Sequence, residues 1–318
     1  MNPRNLLYYN ILTMKIFVTG STGLLGSSLL RNAPKAHTLY ASYNINTLVP
    51  NVACKYFFCD ITKKAQVNEV LTKIKPDVVI HTAAIATPDY CDKHQSEAKA
   101  VNVNGTKYLI DACKKMGAKF VYITTNGVYD GKKAPYDESA KANPVDYYGV
   151  TKAEGEKMTR ESGIDFIIMR LITMYGWNNP KERQNPVTWQ MKILGENKNP
   201  LNMVSDMYNN FLYVEDAAKA IWRAVDKKQY GESFNIAGYD CESRYDFSVK
   251  IAKAFGMDHK MIYPVKLSFF KNYVERPKNT CFITTKMQKV LGLKPTPSKA
   301  GLAHLKSHPL TDDTWKQL

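Results

Sequence analysis

The chain has no run of about 20 uninterrupted apolar residues, which is the length that a membrane-spanning helix requires. It also has no internal repeat and no low-complexity tract. We therefore expect a protein that does not associate with a membrane. Residues 1–13 are predicted to be an N-terminal extension, because they lack the apolar region and small-residue cleavage site of a signal peptide.

Cysteine is sparse and scattered. No two of the six cysteines form a Cys-x-x-Cys pair, so we predict no metal site. Single cysteines are typical of free thiols in a reducing compartment, and we expect a cytoplasmic protein. The six are Cys54, Cys59, Cys91, Cys113, Cys241 and Cys281.

Basic residues outnumber acidic ones by 44 to 29, but they form no basic run that alternates with aromatic residues. A platform for single-stranded nucleic acid would show such a run. We therefore expect no nucleic-acid binding. A lysine-rich surface of this kind favours the approach of an anionic substrate.

Short apolar or β-branched runs alternate with helix-length segments in the first half of the chain, as in β-α-β units. We predict an α/β fold over residues 14–170, a Rossmann-type doubly wound parallel sheet with helices on both faces. Residues 171–318 are predicted to form mainly a smaller α/β substrate lobe, with some segments returning to the Rossmann domain. The six predicted strands are 14–20, 37–42, 55–60, 77–83, 119–125 and 165–171, and a long helix is predicted over 96–117.

A glycine-rich loop follows the first predicted strand. Gly20, Gly23 and Gly26 stand in the sequence TGSTGLLG, which opens directly into a helix. Glycine allows the backbone to turn tightly and to approach a pyrophosphate, while the helix N-terminus offers free N–H groups. The position of the trio between a strand and a helix predicts a dinucleotide-binding loop.

The second predicted strand ends without the acidic residue that usually reads a ribose 2′-hydroxyl, since the chain there has Ser42, Tyr43 and Asn44. A missing carboxylate removes the repulsion against a 2′-phosphate, and Ser42 or Asn44 can donate hydrogen bonds to one. NADP(H) is therefore preferred, although NAD(H) remains possible because no arginine is near.

Two further turns are predicted to line the cofactor. Asp60, in CDIT, is predicted to accept a hydrogen bond from the adenine amino group or to cap the next helix, for which Thr62 is better placed. The turn from His81 to Ala84 is expected beside the cofactor, with His81 ending its strand without chemistry.

Two adjacent tyrosines precede a lysine in DYYGVTKAEGE. Residues four apart share one face of a helix, so Tyr148 faces Lys152, whereas Tyr147 points elsewhere. The ammonium group, together with an oxidised nicotinamide, is expected to lower the pKa of Tyr148 toward neutrality, where a general acid works best. Thr125, at the end of the fifth strand, is expected to bind the reacting carbonyl oxygen beside Tyr148.

Together these motifs resemble the extended short-chain dehydrogenase/reductase family, and within it the dTDP-4-dehydrorhamnose reductase branch. The resemblance rests on most of the chain. Besides TGSTGLLG and CDIT, the similar segments are PDYCDKHQSEAKAVNVNGT, YITTNGVYDG, YYGVTKAEGE and RPKNTCFITTKMQKVLGLKP.

The resemblance implies an NAD(P)H-dependent reductase of a nucleotide-activated 4-keto-6-deoxysugar, with Thr125, Tyr148 and Lys152 as catalytic residues and Tyr148 as general acid. Alternatives are an NAD-dependent nucleotide-sugar 4-epimerase and a non-catalytic NADP-binding regulatory subunit. The sequence leaves a homodimer open. The expected cofactor-binding residues are Gly20, Thr22, Gly23, Leu24, Leu25, Gly26, Ser42, Asp60, Ile61, Ala83, Ala84, Tyr148 and Lys152.

The expected substrate-binding residues are Ala86, Asn126, Thr173 and Arg276. Arg276 is expected either to contact a substrate diphosphate or to form a surface ion pair. The sequence departs from the family on the sugar side. Asn126 and Gly127 stand where the family usually has aspartate and tyrosine, and Asn209, Asn210 and Phe211 replace its Ser-Pro-Thr.

Overall fold

The computed structural model of the chain describes residues 13–44, 52–178, 183–196, 200–271 and 274–309, so residues 1–12 of the predicted extension lie outside it. The strands of the described part are β1 (Lys15–Thr19), β2 (Thr38–Tyr43), β3 (Lys55–Phe58), β4 (Val78–His81), β5 (Lys119–Thr125), β6 (Phe166–Leu171), β7 (Met174–Tyr175), β8 (Leu201–Val204), β9 (Tyr208–Asn209), β10 (Leu212–Tyr213), β11 (Glu232–Ile236), β12 (Glu242–Ser243) and β13 (Ile262–Val265). Its α-helices are α1 (Leu24–Arg31), α2 (Lys64–Ile74), α3 (Pro88–Lys93), α4 (Gln95–Lys99), α5 (Thr106–Met116), α6 (Tyr147–Glu161), α7 (Pro186–Glu196), α8 (Val214–Asp226), α9 (Arg244–Phe255) and α10 (Ser298–Ser307).

Seven strands form one parallel sheet in the order β11-β6-β5-β4-β1-β2-β3. The strand order reverses at β1, where Val18 lies opposite Ala41 of β2 on one side and Ile80 of β4 on the other. Open α/β sheets bind ligands at the carboxyl ends of the strands beside such a reversal. The predicted Rossmann-type doubly wound sheet is confirmed.

Helices cover both faces of this sheet, because successive apolar side chains of each strand point to opposite faces. Ile16 of β1 packs into one cluster with Leu29 of α1 and Ile221 of α8. Phe17, the next residue of β1, packs into the opposite cluster with Leu109 of α5. Burial on both faces explains why the strands are nearly continuous apolar runs.

All six predicted strands are present, with ends within two residues of those expected. The seventh, β11, was not predicted; it is a five-residue edge strand that pairs only with β6 in the sheet. The predicted helix over 96–117 is interrupted by a π-helical turn at Ala100–Gly105. At Gly105 an added Cβ would lie 2.9 Å from the Ile61 side chain, so the glycine allows this turn to pack against the loop after β3.

A smaller lobe is built from short paired strands and helices after residue 171. Its strand pairs are β7 with β10, β8 with β13, and β9 with β12, and a third apolar cluster joins Phe211 and Phe247 to Leu302 of α10. The segment that contains α8 and β11 lies on the large sheet instead. None of the described helices is long and apolar enough to cross a membrane.

The cysteines differ from expectation at two positions. Cys241 and Cys281 form a disulfide with a Cα–Cα distance of 5.8 Å, so the expectation that all six are free is wrong. The two cysteines are 40 residues apart in sequence. They meet because Glu242, next to Cys241, pairs with β9, and Asn279, two residues before Cys281, bridges to the same strand. The other four, Cys54, Cys59, Cys91 and Cys113, are free, and burial raises the pKa of each.

Candidate active site

The predicted phosphate loop lies between β1 and α1. Gly20 has φ +62°, and a Cβ there would lie 2.7 Å from the backbone of Ala83. At Gly26 a Cβ would lie 2.2 Å from the Gly20 carbonyl oxygen. Gly23 differs, since its Cβ would meet nothing nearer than 3.5 Å. Gly20 and Gly26 thus permit the close backbone contacts of the loop. Gly23 is the N-cap of α1, and the N-terminus of a helix is a position that favours a phosphate group.

The end of β2 stands next to this loop, and the end of β3 lies beyond β2 in the sheet. The Ser42 carbonyl accepts hydrogen bonds from both the hydroxyl and the N–H of Ser21, and Ser42 itself is only 2% exposed. Asp60 Oδ1 accepts hydrogen bonds from the Thr62 N–H and hydroxyl at 2.9 and 2.7 Å. The N-cap of α2 is Lys63, so neither Asp60 nor Thr62 caps that helix. Asp60 instead fixes the turn ahead of α2.

His81 is buried at the end of β4 and is held on both sides. Its Nδ1 lies 2.8 Å from the Thr19 hydroxyl and its Nε2 lies 3.0 Å from the Thr106 hydroxyl. Thr106 already donates to the Asn102 carbonyl, so it accepts from Nε2–H and Nδ1 accepts from Thr19. Burial, and then the charge of Lys152, hold the pKa of His81 well below its usual value. The ring is a neutral structural group.

Asn102 connects the loop after β4 to α6. Its side chain exchanges hydrogen bonds with the N–H and carbonyl of Ile85 and donates to the Thr151 hydroxyl at 3.1 Å. These bonds hold the turn that includes Ala83 and Ala84 close to α6, the helix that carries Tyr148. Sequence reasoning missed Asn102, because an asparagine inside a helical pattern gives no sign of which distant backbone it binds.

Thr125 and Tyr148 meet because α6 packs closely onto the turn that follows β5. A Cβ at Gly149 would lie 2.3 Å from the Gly127 carbonyl oxygen, so only glycine permits this approach. Asp146 caps α6 by accepting a hydrogen bond from the Gly149 N–H at 2.7 Å. The packing brings the Tyr148 phenol to the Thr125 hydroxyl, which is one of the groups that act on its pKa.

The pKa of Tyr148 differs from expectation. Burial raises it to about 12, against opposing effects of the Thr125 hydroxyl and the charge of Arg183. Lys152 is not among the groups that shift it. The sequence predicts that Lys152 together with an oxidised nicotinamide brings this pKa toward neutrality. In the chain without cofactor the pKa is raised instead, and the phenol is protonated at pH 7.

Lys152 is buried, with its Nζ 4.2 Å from the centre of the Tyr122 ring. A cation over an aromatic face is stabilised by the ring quadrupole. Burial lowers the pKa of Lys152 to about 7, although the charge of Glu156 raises it. Glu156 is itself paired with Arg170, whose Nη2 lies 2.7 Å from its carboxylate, so its charge compensates Lys152 only in part.

Arg276 lies in an ion pair that joins α3 to the start of α6. Its guanidinium contacts the carboxylates of Asp89 and, at 3.6 Å, Asp146. The Arg276 side chain is 15% exposed, so the pair is partly buried rather than on the open surface. Arg276 therefore links the smaller lobe to the helix N-cap that precedes Tyr148.

Two further arginines, which sequence reasoning missed, lie near Arg276. Arg183 donates a hydrogen bond to the Ala86 carbonyl at 2.6 Å. Arg244 is the first residue of α9, and its Nε is buried without a hydrogen-bond partner among the described residues. Burial, and then the charges of Arg276 and Arg183, lower the pKa of Arg244. The three cations converge from distant parts of the sequence, which offers no local signal for them.

The other predicted substrate residues have different surroundings. Asn126 is hydrogen-bonded to Asn209 and Thr280 of the smaller lobe. Thr173 is partly buried, and its carbonyl accepts a hydrogen bond from the Leu212 N–H. Ala86 is exposed. These residues, like the predicted cofactor and catalytic residues, remain predicted binding residues. Among the described residues no group of three His, Cys, Asp or Glu is placed to hold a metal ion.

Known proteins resemble the chain over nearly its whole length. It is 27% identical over 305 residues to the dTDP-4-dehydrorhamnose reductase of Aggregatibacter actinomycetemcomitans, covering 92% of this chain and 99% of that protein. It is 26% identical over 313 residues to methionine adenosyltransferase 2 subunit beta of Bos taurus, covering 97% of this chain and 92% of that protein. Its structure matches the crystal structure of dTDP-4-dehydrorhamnose reductase from Bacillus anthracis in complex with NADP, with a TM-score of 0.82, 25% identity and coverage of 93% and 99%.

A family model agrees with these similarities. The RmlD substrate binding domain matches residues 14–309, from the first strand of the sheet to the end of α10. The chain belongs to the RmlD substrate binding domain family.

Proposed function

We propose that the protein is an NADPH-dependent reductase of a nucleotide-activated 4-keto-6-deoxysugar, similar in reaction to dTDP-4-dehydrorhamnose reductase. The observation that carries the proposal is the meeting of the Thr125 and Tyr148 hydroxyls at the carboxyl edge of the sheet. Two hydroxyl groups at this point can bind one carbonyl oxygen. The family membership and the similarity to two dTDP-4-dehydrorhamnose reductases support the same reaction.

Tyr148 is the proposed general acid. Because its pKa is raised to about 12, the phenol carries its proton at neutral pH, which is the form that a reduction needs. A dinucleotide held by the Gly20–Gly26 loop would supply the hydride for the carbonyl carbon. Tyr148 transfers its proton to the carbonyl oxygen, and Thr125 holds that oxygen in place. Lys152, with a pKa of about 7, lies one helical turn away and supplies positive charge on the cofactor side.

NADP(H) is the proposed cofactor, with NAD(H) as second choice. The Gly20–Gly26 loop fits a pyrophosphate at the N-terminus of α1, and no carboxylate among Ser42, Tyr43 and Asn44 opposes a 2′-phosphate. The similar Bacillus anthracis structure is a complex with NADP. Asp60, Ile61, Ala83 and Ala84 are proposed to line the adenine and nicotinamide ends.

The arginines suit a substrate that carries a diphosphate. Arg244 is half-buried, and its buried Nε has no hydrogen-bond partner among the described residues, so Arg244 gains from binding an anion. Arg183 is exposed and close enough to affect both Arg244 and Tyr148 electrostatically. We therefore propose that Arg244 and Arg183 bind the nucleotide diphosphate. Arg276 already pairs with two carboxylates and is proposed to support this region structurally.

Mixing the purified chain with NADPH and dTDP-4-dehydrorhamnose tests the proposal. Loss of absorbance at the nicotinamide band, dependent on both components, is the expected result. The UDP-linked sugar serves as a second substrate. No oxidation of NADPH with either sugar would rule out this substrate class.

The second candidate is a non-catalytic NADP-binding regulatory subunit. The observation that favours it is the 26% identity to methionine adenosyltransferase 2 subunit beta over 97% of the chain. Stable NADPH binding without turnover of either nucleotide sugar would favour it. A 4-epimerase would instead retain stoichiometric NAD through purification and would interconvert sugars without net oxidation of added NADPH.

The cellular location, the domain bounds and the oligomeric state of the protein are also proposals. We propose a cytoplasmic protein that does not bind nucleic acid, with residues 14–170 as the dinucleotide domain and 171–318 mainly as the substrate lobe. Thiols are kept reduced in the cytoplasm, so Cys241 and Cys281 would there be in exchange with their reduced form. A homodimer stays a prediction that size measurement in solution would test.

A further inference from the structure

Three side chains form a closed ring of hydrogen bonds beside the catalytic threonine. Asn126 Nδ2 donates to Asn209 Oδ1 at 3.0 Å and to Thr280 Oγ1 at 2.5 Å. The Thr280 hydroxyl donates to Asn209 Oδ1 at 3.0 Å. Asn209 and Thr280 are 3% and 2% exposed, so water does not replace these bonds easily. We call Asn126, Asn209 and Thr280 the amide triad.

The amide triad fixes the hydroxyl of Thr125. Both Nδ2 hydrogens of Asn126 are used within the triad, which leaves its Oδ1 to accept from the Thr125 hydroxyl at 3.2 Å. The Gly127 N–H donates to the same Thr125 oxygen at 3.1 Å. In the chain without substrate, one acceptor and one donor thus define the Thr125 rotamer. The position of Oγ1 stays fixed when substrate binds, while its hydrogen turns from Asn126 Oδ1 to the carbonyl oxygen.

The disulfide holds the two outer members of the triad in register. Cys241 directly precedes Glu242, which pairs with Asn209 across the β12–β9 ladder. Cys281 directly follows Thr280, and its N–H donates to Asn279, which bridges to Tyr208. The backbones that carry Asn209 and Thr280 are therefore linked covalently as well as by hydrogen bonds.

We propose that Asn126, Asn209 and Thr280 are positioning residues that orient the Thr125 hydroxyl for the reaction, and that the Cys241–Cys281 bond keeps them aligned. The kinetic part of this inference rests on the proposed reductase function. The structural part does not, because the rotamer of Thr125 is measurable in the chain without a substrate.

The substrate-independent test uses threonine labelled with ¹³C in its methyl group. The Thr125 resonance is assigned by its loss in Thr125→Ser, and its three-bond couplings report the χ1 angle. We expect one rotamer in the wild type and in Thr280→Ser, which keeps the hydroxyl. We expect averaged couplings in Thr280→Val and in Asn126→Asp, which removes both amide donors. Unchanged couplings in these two variants would overturn the proposal.

A control variant separates positioning from general loss of packing. Asn210 is 5% exposed, and its Oδ1 accepts a hydrogen bond from the Phe282 N–H at 2.7 Å. Its Nδ2, which Asn210→Asp removes, donates to the Tyr239 carbonyl at 3.4 Å and not to a member of the triad. Asn210→Asp disturbs a buried amide in the same segment, and we expect lower thermal stability with the Thr125 rotamer unchanged. Averaged couplings in Asn210→Asp would mean that any local damage moves Thr125, which contradicts a specific role for the triad.

Kinetics supply the second test. We expect Thr280→Val to lower kcat about tenfold to a hundredfold, because small misplacement of a reacting group is costly, with KM for NADPH unchanged. Thr280→Ser should restore kcat. The double variant Thr125→Val/Thr280→Val should be no slower than Thr125→Val alone, since the triad acts through Thr125. Multiplying effects would instead mean that the triad touches the substrate directly.

The disulfide has its own test. Cys241→Ser opens the bond at its exposed end, and we expect the Thr125 couplings to become partly averaged. Unaltered couplings would contradict the role given to the disulfide. If the wild type oxidises no NADPH with any nucleotide sugar, the proposed function fails, whereas the couplings still decide whether the triad orients Thr125.

Discussion

The cofactor side and the substrate side of the candidate site are built differently. On the cofactor side, the Gly20–Gly26 loop, the end of β2 and the turn after β4 present mainly backbone groups within one sheet edge. On the substrate side, arginines and amides from short segments after residue 171 converge from far apart in sequence. We expect cofactor binding to tolerate substitutions outside the glycines, because backbone groups form that side. Substrate binding should instead change whenever one of the converging side chains is substituted.

Tyr148 lies where the two sides meet, and its removal has the largest expected effect. Tyr148→Phe deletes the proposed proton donor and keeps the ring, so kcat for the nucleotide sugar should fall by about 10²–10⁴ with little change in NADPH affinity. Steady-state kinetics and NADPH titration measure the two quantities. Tyr147→Phe is the matched control, and equal losses in both variants would contradict the assignment of Tyr148.

The burial of Lys152 on the cofactor side can be tested by the pH dependence of the free energy of unfolding. Burial lowers the pKa of Lys152 from 10.5 to about 7, so the unfolded chain binds more protons between these values. This group therefore makes the folded chain more stable as pH rises from about 7 to about 10.5, and imposes its full cost below pH 7. The difference between 10.5 and about 7 corresponds to at most about 5 kcal/mol in the free energy of unfolding.

Lys152→Met should remove this pH dependence and stabilise the chain at neutral pH. Urea unfolding of the cofactor-free protein at several pH values measures the effect. Lys157→Met changes an exposed lysine of the same helix and should leave the wild-type pH profile intact. A profile for Lys152→Met that is parallel to the wild type would show that Lys152 is not the group responsible.

Arg244 tests the substrate side. Arg244→Met should raise KM for the nucleotide sugar about 10- to 150-fold, as expected for loss of charge-assisted hydrogen bonds worth about 1.5–3 kcal/mol. The same change should stabilise the free chain, because it removes a half-buried charge that has no ion-pair partner among the described residues. Lower affinity and higher stability together distinguish a ligand-binding arginine from a structural one.

Arg276 provides the contrast to Arg244. Arg276→Met leaves the carboxylates of Asp89 and Asp146 without their partner, so it should lower the free energy of unfolding. Opposite signs for the two arginines in the same unfolding assay are the expected result. If Arg244→Met also destabilises the chain, the diphosphate assignment loses its physical basis.

The difference between local patterns and contacts of distant segments also explains which features could be predicted from the sequence. Strands β1 to β6 and the phosphate loop are local patterns, since apolar runs and glycine spacing act within a few residues. The Cys241–Cys281 bond and the Asn126–Asn209 contact join segments 40 and 83 residues apart, which no local pattern encodes. Helical spacing places Lys152 on the same face as Tyr148, but it does not show that burial raises the pKa of the phenol to about 12 in the chain without cofactor.

Substitutions of the glycines in the phosphate loop have the smallest expected effect. They test whether backbone groups of this loop bind the cofactor. Gly26→Ala puts a Cβ 2.2 Å from the Gly20 carbonyl oxygen, so the loop must shift, and the free energy of unfolding should fall by about 1–3 kcal/mol. Gly23→Ala meets nothing nearer than 3.5 Å and should leave stability nearly unchanged. Its methyl group would nevertheless occupy the space proposed for the pyrophosphate, so NADPH affinity should drop. Urea unfolding and NADPH titration of both variants separate the two roles, and unchanged NADPH affinity in Gly23→Ala would place the pyrophosphate elsewhere.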